Sequence, residues 1–163
     1  MVVDREQVSL SLAQHAVRLQ TLLDRRIVGV LHAHGLSRAE LDVLGALVEF
    51  GENGVRAREL SSRLLLTTGG LSNILRRLQA DDLISREPDL ADGRSQVIRL
   101  STKGRSVAQE TGTATVQVIR GALDAVDESV LEQCDQLLHT ILLAIDEDSP
   151  VHRHRSGPAA HGV

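Results

Sequence analysis

The sequence predicts a mainly α-helical protein carrying one small β-hairpin. Apolar residues recur at helical spacing in several successive stretches, and the first of these, from Arg5 to about His32, contains no proline. Strand-like runs occur only after Leu83, as Ile84-Ser85-Arg86-Glu87 and Gln96-Val97-Ile98-Arg99-Leu100. A chain of 163 residues is one domain by length.

The first helix presents Val8, Leu12, Leu19, Leu22, Leu23, Ile27, Val30 and Leu31, more apolar surface than one small domain needs. Ser37-Arg38-Ala39-Glu40 is a capping box, and it starts a second helix that ends near Gly51. A short helix over Arg56 to Arg63 then places Ala57, Leu60, Ser61 and Leu64 on one face. In Thr67-Thr68-Gly69-Gly70-Leu71-Ser72-Asn73-Ile74-Leu75-Arg76-Arg77-Leu78, the residues Leu71, Ile74, Leu75 and Leu78 share a face that suits the short helix. Together the two helices read as a helix-turn-helix, with Thr67 or Thr68 as the cap of the second.

The outward face of that second helix centres on Gly69, Asn73 and Arg76, flanked by Ser72 and Arg77. Arg can pair bidentately with guanine and Asn with adenine, so Ser72, Asn73 and Arg76 are expected at base edges of a major groove. Thr67, Thr68 and Arg77 are expected at phosphates, which also favour a helix start. Two helices alone are equally well read as a solvated hairpin; the strands that follow them decide for a wing. At its tip, Asp92-Gly93-Arg94 sets a carboxylate two positions before a guanidinium, and an Arg94 oriented by Asp92 fits a narrow minor groove. Double-stranded DNA is therefore the expected partner.

Charge supports this locally. The chain as a whole is at −4, yet residues 56–105 hold ten Lys or Arg against six Asp or Glu, which gives +4 there and −8 elsewhere. Two further helices are expected, from Thr102 to about Val126 and from Glu128 to Ile145, the last dense in Leu and Ile. The stretch 146–163 lacks apolar periodicity and reads as a disordered tail. No apolar run approaches membrane-spanning length and no signal peptide is visible, so a cytoplasmic protein is expected.

Other chemistry finds little support. There is no nucleophile motif, no phosphate loop with Lys and no paired acids, so an enzyme is not expected, and nothing implies a cofactor. His32 and His34 point to nearly opposite faces of a helix, while His15 and His139 stand alone, so no metal site is expected. Cys134 is the only cysteine and has no Lys or Arg near it in sequence to lower its pKa.

The stretch from Leu36 to Gly104 resembles the MarR family of bacterial transcription regulators. Leu41-Asp42-Val43-Leu44, Glu59-Leu60-Ser61, Leu66-Thr67, Leu78-Gln79, Asp82-Leu83-Ile84-Ser85-Arg86, Asp89, Asp92-Gly93-Arg94-Ser95, Leu100-Ser101 and Gly104 carry the likeness through their order and spacing. Asp82 stands where the family usually has Gly, and Ser61 where it usually has Ala. The resemblance implies a winged helix-turn-helix region over 37–104, set between dimerisation helices at 5–34 and 105–145 within a single domain, 1–145. It implies a homodimeric repressor on a pseudo-palindromic operator, with half-sites roughly 34 to 36 Å apart.

It also implies a small-molecule effector, often a phenolic anion, held between the dimer helices and the reading region. One Phe and no Tyr or Trp favour an aliphatic pocket with an Arg or His anchor over a stacking pocket, and His15 and Arg18 on the core side of the first helix are the candidates. Two alternatives stay open at this point: a helical interaction module whose winged region binds a partner protein, and a thiol-based redox sensor acting through Cys134.

Overall fold

The computed structural model describes residues 4–89 and 95–145. The expectations for Asp92, for Arg94 and for the tail from Asp146 lie outside the described residues. Two compact units are distinguished, residues 1–125 and residues 126–163.

The first unit begins with α1 (Arg5–Ala33), capped by Asp4, whose carboxylate accepts from the Glu6 N–H at 3.0 Å. Only Ile27 and Leu31 of α1 are buried, so the helix joins the core through its C-terminal third. Helix α2 (Arg38–Phe50) opens on the capping box that the sequence predicts. Ser37 N donates to Glu40 Oε2 at 2.7 Å, and Glu40 N donates to Ser37 Oγ at 3.3 Å. Val43, Leu44, Ala46 and Leu47 of α2 form the centre of the core.

A single 3-10 turn (Gly51–Asn53) leads to β1 (Val55–Arg56), which the sequence reading did not foresee. The helix expected to start at Arg56 therefore begins one residue later, as α3 (Ala57–Arg63), and Arg56 is its N-cap. Gly54 makes the strand possible, since its φ is +70° and a Cβ there would lie 2.6 Å from both Arg99 Cγ and the Ile98 carbonyl oxygen. Helix α4 (Thr68–Ala80), β2 (Ile84–Pro88), β3 (Gln96–Leu100) and α5 (Thr102–Leu123) complete the unit.

The sheet is antiparallel in the order β1-β3-β2, with Val55 opposite Ile98 and Arg86 also opposite Ile98 from the other side. The wing thus has three strands at its base, not two. Leu60 of α3, Leu71, Leu75 and Leu78 of α4, and Ile98 of β3 bury against the α2 residues, while α5 packs along α1 and α2.

In the second unit, α6 (Glu128–Ile145) is started by Asp127, whose Oδ1 accepts from Ser129 N at 2.9 Å and Ser129 Oγ at 2.6 Å. These bonds to Ser129 hold the Asp127 carboxyl below its ordinary pKa. Taken by itself, α6 buries none of its residues and exposes Val130, Leu137, Leu138, Leu142, Leu143 and Ile145.

Candidate nucleic-acid interface

Helix α4 has two unlike faces. Leu71, Leu75 and Leu78 are buried, with Ile74 partly so, while Thr67, Thr68, Gly69, Ser72, Asn73, Arg76 and Arg77 are all exposed. The four apolar residues that the sequence assigns inward do pack inward. The polar set is left as one continuous outer surface, because residues three and four apart stack along a helix.

Thr67 is the residue that caps this helix: its Oγ1 accepts from Gly70 N at 3.1 Å. Thr68 is the first helical residue. The turn into α4 is tightened by Ser61, whose hydroxyl donates to the Leu66 carbonyl at 2.5 Å. Within it, Leu65 adopts φ +52°, a left-handed conformation that bulky residues rarely take.

The exit of α4 is fastened as well. Asp82, which stands where the family usually has Gly, adopts φ +58°, a left-handed conformation that Asp tolerates better than most residues. Ser101 N donates to the Leu83 carbonyl at 3.0 Å, and Ser101 Oγ donates to that of Asp82 at 2.6 Å. Lys103 Nζ adds a bond to the Asp81 carbonyl at 2.8 Å. Ser101 also caps α5, accepting from Gly104 N at 2.9 Å, so the carbonyls of Asp81, Asp82 and Leu83, just past the end of α4, are tied to the start of the long helix. Gly104 is fixed by the same junction, because a Cβ there would overlap the Leu83 carbonyl.

The base of the wing is held by ion pairs. Arg56 Nε donates to Asp89 Oδ2 at 2.5 Å, and Arg99 Nη1 donates to Glu87 Oε2 at 2.6 Å. Between α3, α4 and the sheet runs a groove of about 410 Å³, lined by Arg58, Ser61, Thr68, Ser72, Arg86 and Gln96 among others. Arg58 and Arg86 were not singled out from sequence. They contribute to the local positive balance, but counting charge does not say which face carries it.

Arg77 has a partner that spacing along one helix could not reveal: its Nε lies 3.1 Å from Glu40 Oε1 on α2, an ion pair. The two candidates for an effector anchor do not face the core. His15 and Arg18 are both exposed in the single chain; His15 Nδ1 lies 3.4 Å from Ser11 Oγ, and Arg18 borders a shallow concavity formed by α1 residues alone. The reason is that α1 enters the core only near Ile27, three turns further on. Phe50, the single aromatic residue, is covered by the Arg63 guanidinium 5.2 Å from its ring centre.

Residues 34–95 match the MarR family. Over residues 34–95 the chain is similar to that family. The matched segment spans α2, β1, α3, α4 and β2, and ends just before β3.

The HTH-type transcriptional regulator MgrA of Staphylococcus aureus is 30% identical over 96 residues, covering 59% of this chain and 64% of that protein. TtmR of Methylorubrum extorquens, also an HTH-type transcriptional regulator, is 37% identical over 78 residues, which are 48% of this chain and 39% of its own. The chain thus spans less than two thirds of the curated relatives it matches.

Among solved structures, a MarR-family transcriptional regulator from Rhodococcus superposes with a TM-score of 0.75 at 18% identity, over 83% of this chain and 95% of that one. MepR of S. aureus, solved as a complex with DNA, gives 0.72 at 20% identity over 81% and 96%. These likenesses establish the winged-helix fold.

Proposed function

We propose that this protein is a homodimeric, sequence-specific double-stranded DNA-binding regulator of transcription, a repressor acting in the cytoplasm and not an enzyme. The observation that carries the reading is the outer surface of α4, where Ser72, Asn73 and Arg76 stand exposed on a helix whose entry, inner face and exit are all fastened to the core. A helix held in this way can present fixed donors to a major groove. Ser72, Asn73 and Arg76 take base edges, Thr67, Thr68 and Arg77 take phosphates, and the wing carries Asp92 and Arg94 toward the minor groove.

Relatives support the same reading. MgrA and TtmR are named as transcriptional regulators, and MepR shares the fold and is known in complex with DNA. No helix among the described residues is long and apolar enough to cross a membrane.

Dimerisation follows from what the single chain leaves uncovered. Val8, Leu10, Leu12, Val17, Leu19 and Leu22 are exposed on α1, and α6 exposes its own apolar residues. A helix of 29 residues, roughly 43 Å long, gains little from leaving such side chains in water, and a second copy offers matching surface. Two copies would then read two half-sites.

Selection from a random duplex library, followed by competition against scrambled DNA, tests the proposal. A pseudo-palindromic consensus that Asn73→Ala degrades at one position in each half-site is the expected result. Failure to enrich any sequence would move the protein-interaction reading to the front.

A further inference from the structure

Glu40 does more than its capping box requires. The box needs one carboxylate oxygen, and Oε2 serves it, accepting from Ser37 N and Ser37 Oγ, both at 2.7 Å. The other oxygen, Oε1, turns to α4 and forms an ion pair with Arg77, 3.1 Å from its Nε. The Glu40 side chain is only 3% exposed, whereas that of Arg77 remains 65% exposed. A buried carboxylate calls for a charged partner, and Arg77 supplies it while most of its length stays at the surface beside Arg76. Among the described residues no other ion pair engages Arg77.

The same turn of α2 also reaches α1. Arg38 pairs with Asp24 of α1 and, at 2.9 Å through Nε, with Asp42 of α2. One helical turn therefore holds α1 through Arg38 and α4 through Glu40.

We propose that Glu40 is a positioning residue for DNA reading: it anchors the Arg77 guanidinium by Nε so that the rest of the fork meets a phosphate in one fixed orientation. The inference rests on α4 being the DNA-reading helix. An arginine already held at one nitrogen has fewer arrangements to lose when it binds, and its planar fork transmits that constraint to the remaining N–H groups. A lysine has no second nitrogen to hold it by.

The test is a double-mutant cycle read in operator affinity, well below the melting temperature and at several salt concentrations, with the operator recovered by selection. Arg77→Ala is expected to weaken binding roughly tenfold and to reduce the slope of log affinity against log salt by about 1, the signature of one lost phosphate contact. Glu40→Gln keeps an oxygen for the cap but loses the charge that holds Arg77, so it should weaken binding several-fold and lower the slope similarly. The double variant should bind no more weakly than Arg77→Ala alone, since the two act through one contact. Arg77→Lys, a surface change that does not endanger folding, should behave within about twofold of Arg77→Ala.

A purely structural Glu40 would lower the thermal midpoint and leave the salt slope untouched; that result overturns the proposal. So does multiplication of the two single effects, or a lysine variant that binds like wild type. If the wild-type protein enriches no operator, the reading of α4 fails, and this inference fails with it.

Discussion

Gly104 shows how a single residue can be understood only from its neighbours. In sequence it is one match in a family pattern; in the structure it is the point where the first turn of α5 meets the Leu83 carbonyl, which already accepts from Ser101 N. Gly104→Ala should therefore cost about 2 kcal/mol or more of stability in chemical denaturation, because backbone and not a flexible side chain must give way. Ser61 is a second case. It departs from the family's usual Ala, and its hydroxyl bridges the helix-turn-helix turn to the Leu66 carbonyl. Ser61→Ala is expected to lower stability by about 1 kcal/mol, measured the same way. At the reading surface, Arg76→Ala should cost about 1 to 3 kcal/mol of operator affinity and relax preference at one base pair. The exposed polar residues of α4 were legible because helical periodicity alone separates them from Leu71, Leu75 and Leu78. The pairing of Arg77 with Glu40 was not, since the partner lies 37 positions away and each residue has a sufficient local explanation, one as a surface cation and the other as a cap.

Among the elements, the long helices and the wing strands declared themselves through period and capping, and α2 starts where Ser37 and Glu40 say it should. The strand β1 did not. Two residues carry no periodicity, and Val55–Arg56 becomes a strand only because Gly54 turns the chain beside β3. The depth of α1 in the core was also hidden, since an amphipathic pattern marks an apolar face without saying whether the same chain covers it; His15 and Arg18, expected on the core side, are exposed in the single chain for that reason. The turn before α4 holds a local conflict between residue and conformation. Leu65, 82% exposed, gains little from burial and sits at φ +52°, a region that asparagine tolerates far better. Leu65→Asn should raise the thermal midpoint, by the equivalent of about 1 kcal/mol, with operator affinity within twofold of wild type.

At the scale of the whole molecule, the positive balance over residues 56–105 is set against −8 in the remainder, so in the proposed function attraction to DNA would be concentrated on that stretch and opposed elsewhere. In the proposed dimer the apolar residues left exposed on α1 are covered by a second copy. Leu12→Asp combined with Leu19→Asp should leave the core residues untouched, yield a folded monomer by sedimentation, and weaken operator binding at least tenfold by removing the second half-site reader. A dimer that survives both changes would place the interface elsewhere. The most direct measurement is an anisotropy titration of the wild-type protein and Arg76→Ala against the selected operator and a scrambled duplex across a range of salt. The account predicts a marked preference for the operator, a steep linear fall of log affinity with log salt on both duplexes, and a preference reduced in Arg76→Ala while nonspecific binding changes little. Equal, salt-insensitive binding of both duplexes, or none at all, would contradict it.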